Sequence, residues 1–285
     1  MYGFKVHRPT TVRQAAGLLQ REEEPKLLAG GHTLIPTMKL RLAGPKHIVD
    51  MSQIEDLVGI EDSARSVTIG AMTTHHAVAD SEVVKAAIPA LADLAGMIGD
   101  PAVRHRGTIG GSIANNDPNA DYPAACLGLG ATIITNKRRI EADEFFKGLF
   151  ETALEDDEII TKVQFPKVSK AAYIKFPNPA SRFALVGVFV AKRSSEIRVA
   201  VTGAGSNGVF RVPSFEEALK KRFGPKSLEG MTIEADGMSS DIHGGAEYRA
   251  HLVGVLARRA VAKAVERPEP EPDTDTDTDT DTDTK

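Results

Sequence analysis

The sequence predicts an α+β fold, and three observations carry the prediction. Short apolar strands alternate with amphipathic helices over the first 54 or so positions, ending near Ile54. Beyond position 170, strand-like segments follow one another with no helix between them, and the patterned part of the chain ends on one long helical stretch, about 246–265. Apolar residues spaced three and four apart mark the helices, and short apolar runs or alternation mark the strands. No internal repeat is visible.

In chain order, Phe4-Lys5-Val6 reads as a strand, and Thr10 or Thr11 as the cap of a helix carrying Val12, Ala15, Ala16, Leu18 and Leu19 on one face. Strands are expected at 26–29 and 47–50, with a helix over 34–42 between them. A second unit opens with the strand 66–71, followed by helices over about 74–87 and 89–98. After a glycine-rich segment, Asp121 is placed to cap a helix over 122–129, which leads to strands at 131–135 and 158–165. Pro166 to Lys170 is the expected linker to a third unit, with strands near 173–176, 182–191 and 196–202, a helix over 214–222 and the terminal helix.

Two glycine-rich stretches stand out from this pattern. The first, Leu27-Leu28-Ala29-Gly30-Gly31-His32-Thr33-Leu34-Ile35-Pro36, reads as a strand, a double-glycine turn, a capping Thr and a helix with Pro in its first turn. The free N–H groups and dipole of a helix start favour an anion. The second runs from Gly107 to Asp121. Its Gly110-Gly111 pair lets backbone N–H groups approach a phosphate, with hydroxyls and amides from Thr108, Ser112, Asn115 and Asn116 and carboxylates from Asp117 and Asp121 alongside. Read alone, the second stretch fits a strand, a turn and an Asx-rich surface loop equally well. Two such turns together suit a ligand with two phosphates, and a dinucleotide meets that description.

The pair A-G-G-H-T-L-I-P and T-I-G-G-S-I-A-N-N-D-P-N-A-D, in this order and about 80 residues apart, resembles the two flavin-binding signatures of the FAD-binding medium subunit of molybdenum hydroxylases, the carbon monoxide dehydrogenase and xanthine dehydrogenase family. The carbon monoxide dehydrogenase type is the nearer likeness, and it extends from Phe4 to about Glu266, including the late segment Asp241-Ile242-His243 to Arg258-Arg259-Ala260. The resemblance implies a two-part FAD-binding domain of the vanillyl-alcohol-oxidase-like fold, with subdomains 1–55 and 56–170, then a C-terminal α+β domain over 171–266 with an antiparallel sheet and helices. It implies FAD as cofactor, held by Ala29, Gly30, Gly31, His32, Thr33, Leu34, Ile35 and Pro36 of the first motif. From the second motif it implies Thr108, Gly110, Gly111, Ser112, Ile113, Asn116, Asp117 and Asp121. Asp121 has two competing roles, a flavin hydroxyl or the cap of the following helix. Where the family commonly has a Tyr within D-Y-A-T stacked on the flavin, this chain has Ser181-Arg182-Phe183-Ala184-Leu185, so Phe183 keeps the aromatic face and loses the hydroxyl. A core Phe in a strand is the competing reading of that position.

The family's division of labour implies an electron-transfer flavoprotein. A separate molybdopterin-binding large subunit oxidises the substrate, a [2Fe-2S] small subunit carries the electrons, and FAD in this chain passes them to a terminal acceptor, the whole assembled as a dimer of heterotrimers. No catalytic acid or base is required here. The alternatives are a stand-alone flavin oxidase with its own organic substrate, and a scaffold subunit that has kept the fold without the cofactor. The single cysteine, Cys126, lies in an apolar helical stretch and excludes an internal iron–sulfur relay, which needs several thiolates.

Other motifs are set aside. Gly203-Ala204-Gly205-Ser206-Asn207-Gly208 matches G-x-G-x-x-G, but Val209-Phe210-Arg211-Val212-Pro213 reads as a further strand where a Rossmann site needs a helix, so a glycine-rich hairpin is expected. His75, His76 and His105 have no Cys or carboxylate cluster at ligand spacing, and no metal site is expected. No apolar run reaches the roughly 18–20 residues needed to span a bilayer, and the N-terminus lacks a secretory h-region, which predicts a cytoplasmic protein with no membrane span. The last twenty residues, rich in Asp-Thr repeats, carry −7 of the formal −4, leaving +3 on 1–265. That is no nucleic-acid footprint, and the tail, 267–285, is expected to be disordered.

Overall fold

A computed structural model describes residues 1–266, so the Asp-Thr tail lies outside the described residues. The first unit is a three-stranded parallel sheet of β1 (Lys5–His7), β2 (Pro25–Leu28) and β3 (His47–Asp50), with β3 in the centre. Helix α1 (Val12–Arg21) starts where Thr11 accepts the Gln14 N–H, and buries Ala15 and Leu18 against the sheet with Val49, Met51, Ile54 and Leu57. Helix α2 (Leu34–Lys39) is shorter than predicted, because Arg41 takes a left-handed conformation, φ 60°, and the chain turns away. Thr33 occupies the cap position without a side-chain cap bond; its carbonyl instead accepts the Thr37 hydroxyl at 2.7 Å.

The second unit is built on an antiparallel sheet with strand order β4-β5-β10-β6-β7. Strand β4 (Ile60–Asp62) and β5 (Ser66–Gly70) lead into α3 (His75–Asp80), α4 (Glu82–Ala87), α5 (Pro89–Gly96), α6 (Pro101–Arg104), α7 (Ile109–Asn115) and α8 (Tyr122–Leu129). The helix expected over 74–87 is two helices, since Ser81 is extended and its hydroxyl accepts the Val84 N–H to start α4. The predicted glycine turn at 110–111 is the first turn of α7, with Thr108 as its cap. Then come β6 (Thr132–Thr135), β7 (Arg139–Glu141), α9 (Ala142–Phe145), the hairpin β8 (Phe146–Gly148) and β9 (Glu151–Thr152), and β10 (Ile160–Pro166). Short polar strands such as β4 and β7 gave no apolar run to read in the sequence.

The third unit is an antiparallel sheet in the order β11 (Lys170–Pro177), β12 (Ala184–Arg193), β13 (Glu196–Thr202) and β14 (Phe210–Arg211), followed by α10 (Pro213–Lys221) and α11 (Ala246–Glu266). Strand β12 is continuously apolar because both of its faces are covered. Phe189 and Ala191 join the core of the second unit around Leu91, Tyr122 and Cys126, while Val188 and Val190 join a separate core with Phe215, Leu252, Val253 and Leu256 beneath α11. The GAGSNG segment lies between β13 and β14, which pair antiparallel, with Gly203 and Gly208 at positive φ. It is the expected hairpin connection.

Candidate functional site

A cavity of about 670 Å³ opens between the three units. Its walls include the end of β2 and the turn into α2, the segment 107–121, residues 154–160 leading into β10, and the loop 181–183 between β11 and β12. That volume lies within the usual range of roughly 300–1,000 Å³ for organic ligands.

The two glycine motifs, 80 positions apart, touch through their backbones. A Cβ on Gly30 would stand 2.4 Å from the Arg106 carbonyl oxygen and 2.7 Å from the Gly107 Cα, so only glycine permits this approach. At Gly110 the same test corrects the sequence reading. Its Cβ would meet the Ala71 Cβ at 2.6 Å, so this glycine is demanded by packing of α7 on the chain after β5 rather than by a phosphate. The N–H groups at the start of α7 are already used: Ile109 donates to the Thr73 carbonyl, Gly110 to the Ala71 carbonyl at 2.9 Å and Gly111 to the Thr108 hydroxyl. The first motif differs. Gly31 has φ 78°, and among the described residues the N–H groups of Gly31, His32, Thr33 and Leu34 have no hydrogen-bond partner within the chain. Successive free N–H groups around a left-handed residue form an anion-binding concavity.

Of the residues predicted from the first motif, Ala29, Gly30, Gly31, His32, Thr33 and Leu34 line the cavity. Ile35 and Pro36 do not; Ile35 lies beneath Gly31, its Cδ1 2.7 Å from where a Cβ would stand. His32 reaches across to the Ala102 carbonyl at 3.4 Å rather than closing its own turn. From the second motif Thr108, Gly110, Gly111, Ser112, Asp117 and Asp121 line the cavity. Ile113 and Asn116 do not. Ile113 is fully buried on the core face of α7, and Asn116, at φ 43°, ends that helix with its amide donating to the Gly148 and Glu151 carbonyls, each at 2.8 Å.

Asp117 accepts the Asn119 N–H at 2.9 Å through Oδ1, which leaves Oδ2 for a ligand; burial pushes its carboxyl up. Asp121 does not cap α8. Its buried carboxylate accepts the Tyr173 hydroxyl at 2.5 Å and the Lys175 ammonium at 2.9 Å, tying the second unit to β11. Burial raises the Asp121 carboxyl, opposed by Lys175 and by Tyr173. Phe183 is 46% exposed at the cavity mouth, in the loop before β12 and not in a strand, which removes the reading of it as core.

Sequence reasoning missed several wall residues. His75 lines the cavity, and its N–H donates to the Gly107 carbonyl at 3.0 Å, joining α3 to the second motif. Its Nδ1 is buried and unpartnered, and burial, with His32 and Arg104 nearby, lowers it to about 4, so the ring is neutral. Glu158, also in the wall, is held at about 2 by the Arg138 guanidinium, with contacts of 2.9 and 3.0 Å. Ser181 and Arg182 were missed as well; their loop gave no periodic pattern to read. His76 and His105 stack at 3.9 Å, away from His75, which packs on Tyr122.

A concave site with unpaired N–H groups, a free carboxylate oxygen, an aromatic face at its mouth and apolar walls suits a phosphate-bearing, ring-bearing ligand. It contains no nucleophile paired with a base.

Comparison with known proteins agrees with this geometry. Residues 2–168 match the family described as the FAD binding domain in molybdopterin dehydrogenase. The chain is 35% identical to the carbon monoxide dehydrogenase medium chain of Hydrogenophaga pseudoflava, with 93% of this chain and 98% of that one covered. It is equally 35% identical to the nicotine 6-hydroxylase medium subunit of Paenarthrobacter nicotinovorans, covering 91% and 96%. A solved structure of carbon monoxide dehydrogenase from Hydrogenophaga pseudoflava superposes with a TM-score of 0.84 over 92% of this chain and 97% of that one. The chain belongs to the family of FAD-binding medium subunits of molybdenum hydroxylases.

Proposed function

We propose that this chain receives electrons from a [2Fe-2S] small subunit, which is supplied in turn by a molybdopterin-binding large subunit, and delivers them from FAD to a terminal acceptor. The three chains would assemble as a dimer of heterotrimers in the cytoplasm. Among the described residues no helix is long and apolar enough to cross a membrane, which is compatible with that placement. The observation that carries the reading is a cofactor-sized cavity with anion-binding N–H groups and no acid–base or nucleophilic pair, in a chain whose single cysteine is buried and inert. Burial pushes the Cys126 thiol up and leaves it no redox role.

FAD fits the residues present. The N–H groups of 31–34 would take pyrophosphate oxygens, Asp117 Oδ2 a hydroxyl, and Phe183 the ring system, with neutral His75 in the wall. When bound, FAD supplies reversible one- and two-electron chemistry; the chain's share is binding, orientation and electrostatics. Asp121, paired with Lys175, fixes the wall between the second and third units. We further propose domain boundaries near 55 and 170, where the sheets change. Expression of the chain with its neighbouring reading frames tests the proposal. Molybdenum, iron and flavin should co-purify with it in fixed ratio, and a flavin-loaded chain that purifies alone and turns over an organic substrate would refute it.

A further inference from the structure

In the first unit three side chains from three elements converge, none of them lining the cavity. His7 ends β1, His47 begins β3, and Glu22 is the residue after α1. In the parallel ladder Lys5 lies opposite His47, and His7, two residues on, shares its face. His7 Nε2 lies 2.8 Å from His47 Nδ1, and Glu22 Oε2 lies 3.0 Å from the same Nδ1. A relay through an imidazole uses both ring nitrogens. Here both neighbours address one nitrogen, whose single proton can satisfy only one of them. His7 and Glu22 also bring ligand atoms within 4.8 Å of each other, and among the described residues this is the one such group of three His, Cys, Asp or Glu residues.

We propose that His7, His47 and Glu22 form a binding site for a divalent transition metal of the zinc class, tying β1, β3 and the end of α1 together. Two imidazole nitrogens and one carboxylate oxygen are a zinc donor set, with bonds of about 2.0–2.2 Å. Tetrahedral placement needs the donors roughly 3.3 Å apart, a few tenths beyond the two separations from His47 Nδ1. Water would supply the fourth ligand. The adjacent cation, Lys46, is held by Glu23 and does not compete for Glu22. The site's role is structural: it would brace the sheet whose strand β2, paired to β3, feeds the glycine turn at 30–31.

The test uses the full-length, FAD-loaded chain with any affinity tag removed. Zn²⁺ is titrated in competition with a chromophoric chelator, and Co²⁺ is added to a second sample for its visible spectrum. One equivalent of Zn²⁺ should bind, Co²⁺ should give the intense bands of a four-coordinate centre, and saturation at about 100 times Kd should raise the folding equilibrium about 100-fold, seen as a higher melting temperature. His7→Ala and His47→Ala should each weaken binding by at least about 100-fold, since even outer-shell losses cost about 10–100-fold. Glu22→Gln should weaken it by less, and a His76→Ala, His105→Ala control should keep it. Should an alanine variant lose FAD, His47→Gln and X-ray absorption of the wild-type Zn²⁺ complex decide, the latter requiring imidazole scattering in the first shell. Less than one equivalent bound, an affinity unchanged in both histidine variants, or a first shell without imidazole would overturn the proposal.

Discussion

Gly30→Ala puts the strongest demand on the site's geometry. The new methyl would stand 2.4 Å from the Arg106 carbonyl oxygen and 2.7 Å from the Gly107 Cα, where ordinary contact needs about 3.5 Å. Both obstacles are main chain, so relief requires the turn after β2 and the segment before α7 to separate by roughly 1 Å. Overpacking of this kind costs about 1–3 kcal/mol, and the upper half applies because no side chain can swing away. At about 2–4 °C per kcal/mol for a chain of this size, the melting temperature should fall by roughly 5–10 °C. The same displacement moves the free N–H groups of 31–34, so FAD affinity should drop by about 10–100-fold. Gly17→Ala in α1 is the control, since nothing lies within 4 Å of its Cβ position. Flavin absorbance after gel filtration and a melting curve give both numbers. A Gly30→Ala protein with one FAD per chain and an unchanged melting temperature would show that the two motifs do not meet as described.

Three further outcomes follow from the same wall. Asp121→Asn leaves the Lys175 ammonium buried without its carboxylate, at a cost of about 3–5 kcal/mol, and adding Lys175→Met should recover most of it; equal melting temperatures for wild type and Asp121→Asn would contradict this. Phe183→Ala, at an exposed position, should leave the melting temperature within a degree or two while weakening FAD by about 2–10-fold, with Phe183→Tyr unaffected; unchanged affinity in the alanine variant would remove Phe183 from the site. His75 is held neutral down to about 4, against 6.5 when free, so its contribution is complete above 6.5 and is lost as pH falls towards 4, by up to about 3 kcal/mol. Denaturant titrations between pH 7 and 4 should therefore show a steeper fall for wild type than for His75→Leu, and parallel curves would refute it.

The fold was legible wherever burial imposed a period. The apolar runs of β12 and β13, the Thr11 cap of α1 and the terminal helix all lie close to where the sequence puts them. Local chemistry misled where tertiary contacts decide. Gly110-Gly111 reads as a turn, but with Gly110 pressed on Ala71 it is the start of a helix; Asp121 reads as a cap or a flavin contact, but Lys175, 54 residues on, claims its carboxylate. The first motif's glycine turn was legible because free N–H groups are a local property of such a turn. His75 was not, because its place in the wall depends on a backbone bond to Gly107, 32 residues away, and Ile113 and Asn116 were over-read because motif membership does not say which face of a short helix a residue takes.

The central claim, that electrons reach this flavin only through partner chains, is tested by one measurement. The chain is purified alone, loaded with FAD, and its flavin absorbance is followed anaerobically with aldehydes, purines and N-heterocycles, before and after the iron–sulfur and molybdenum chains are added. No bleaching is expected before the addition, bleaching after it with the complex's substrate, and recovery of the absorbance when an acceptor is admitted. Bleaching by any of those organic compounds in the isolated chain would contradict it.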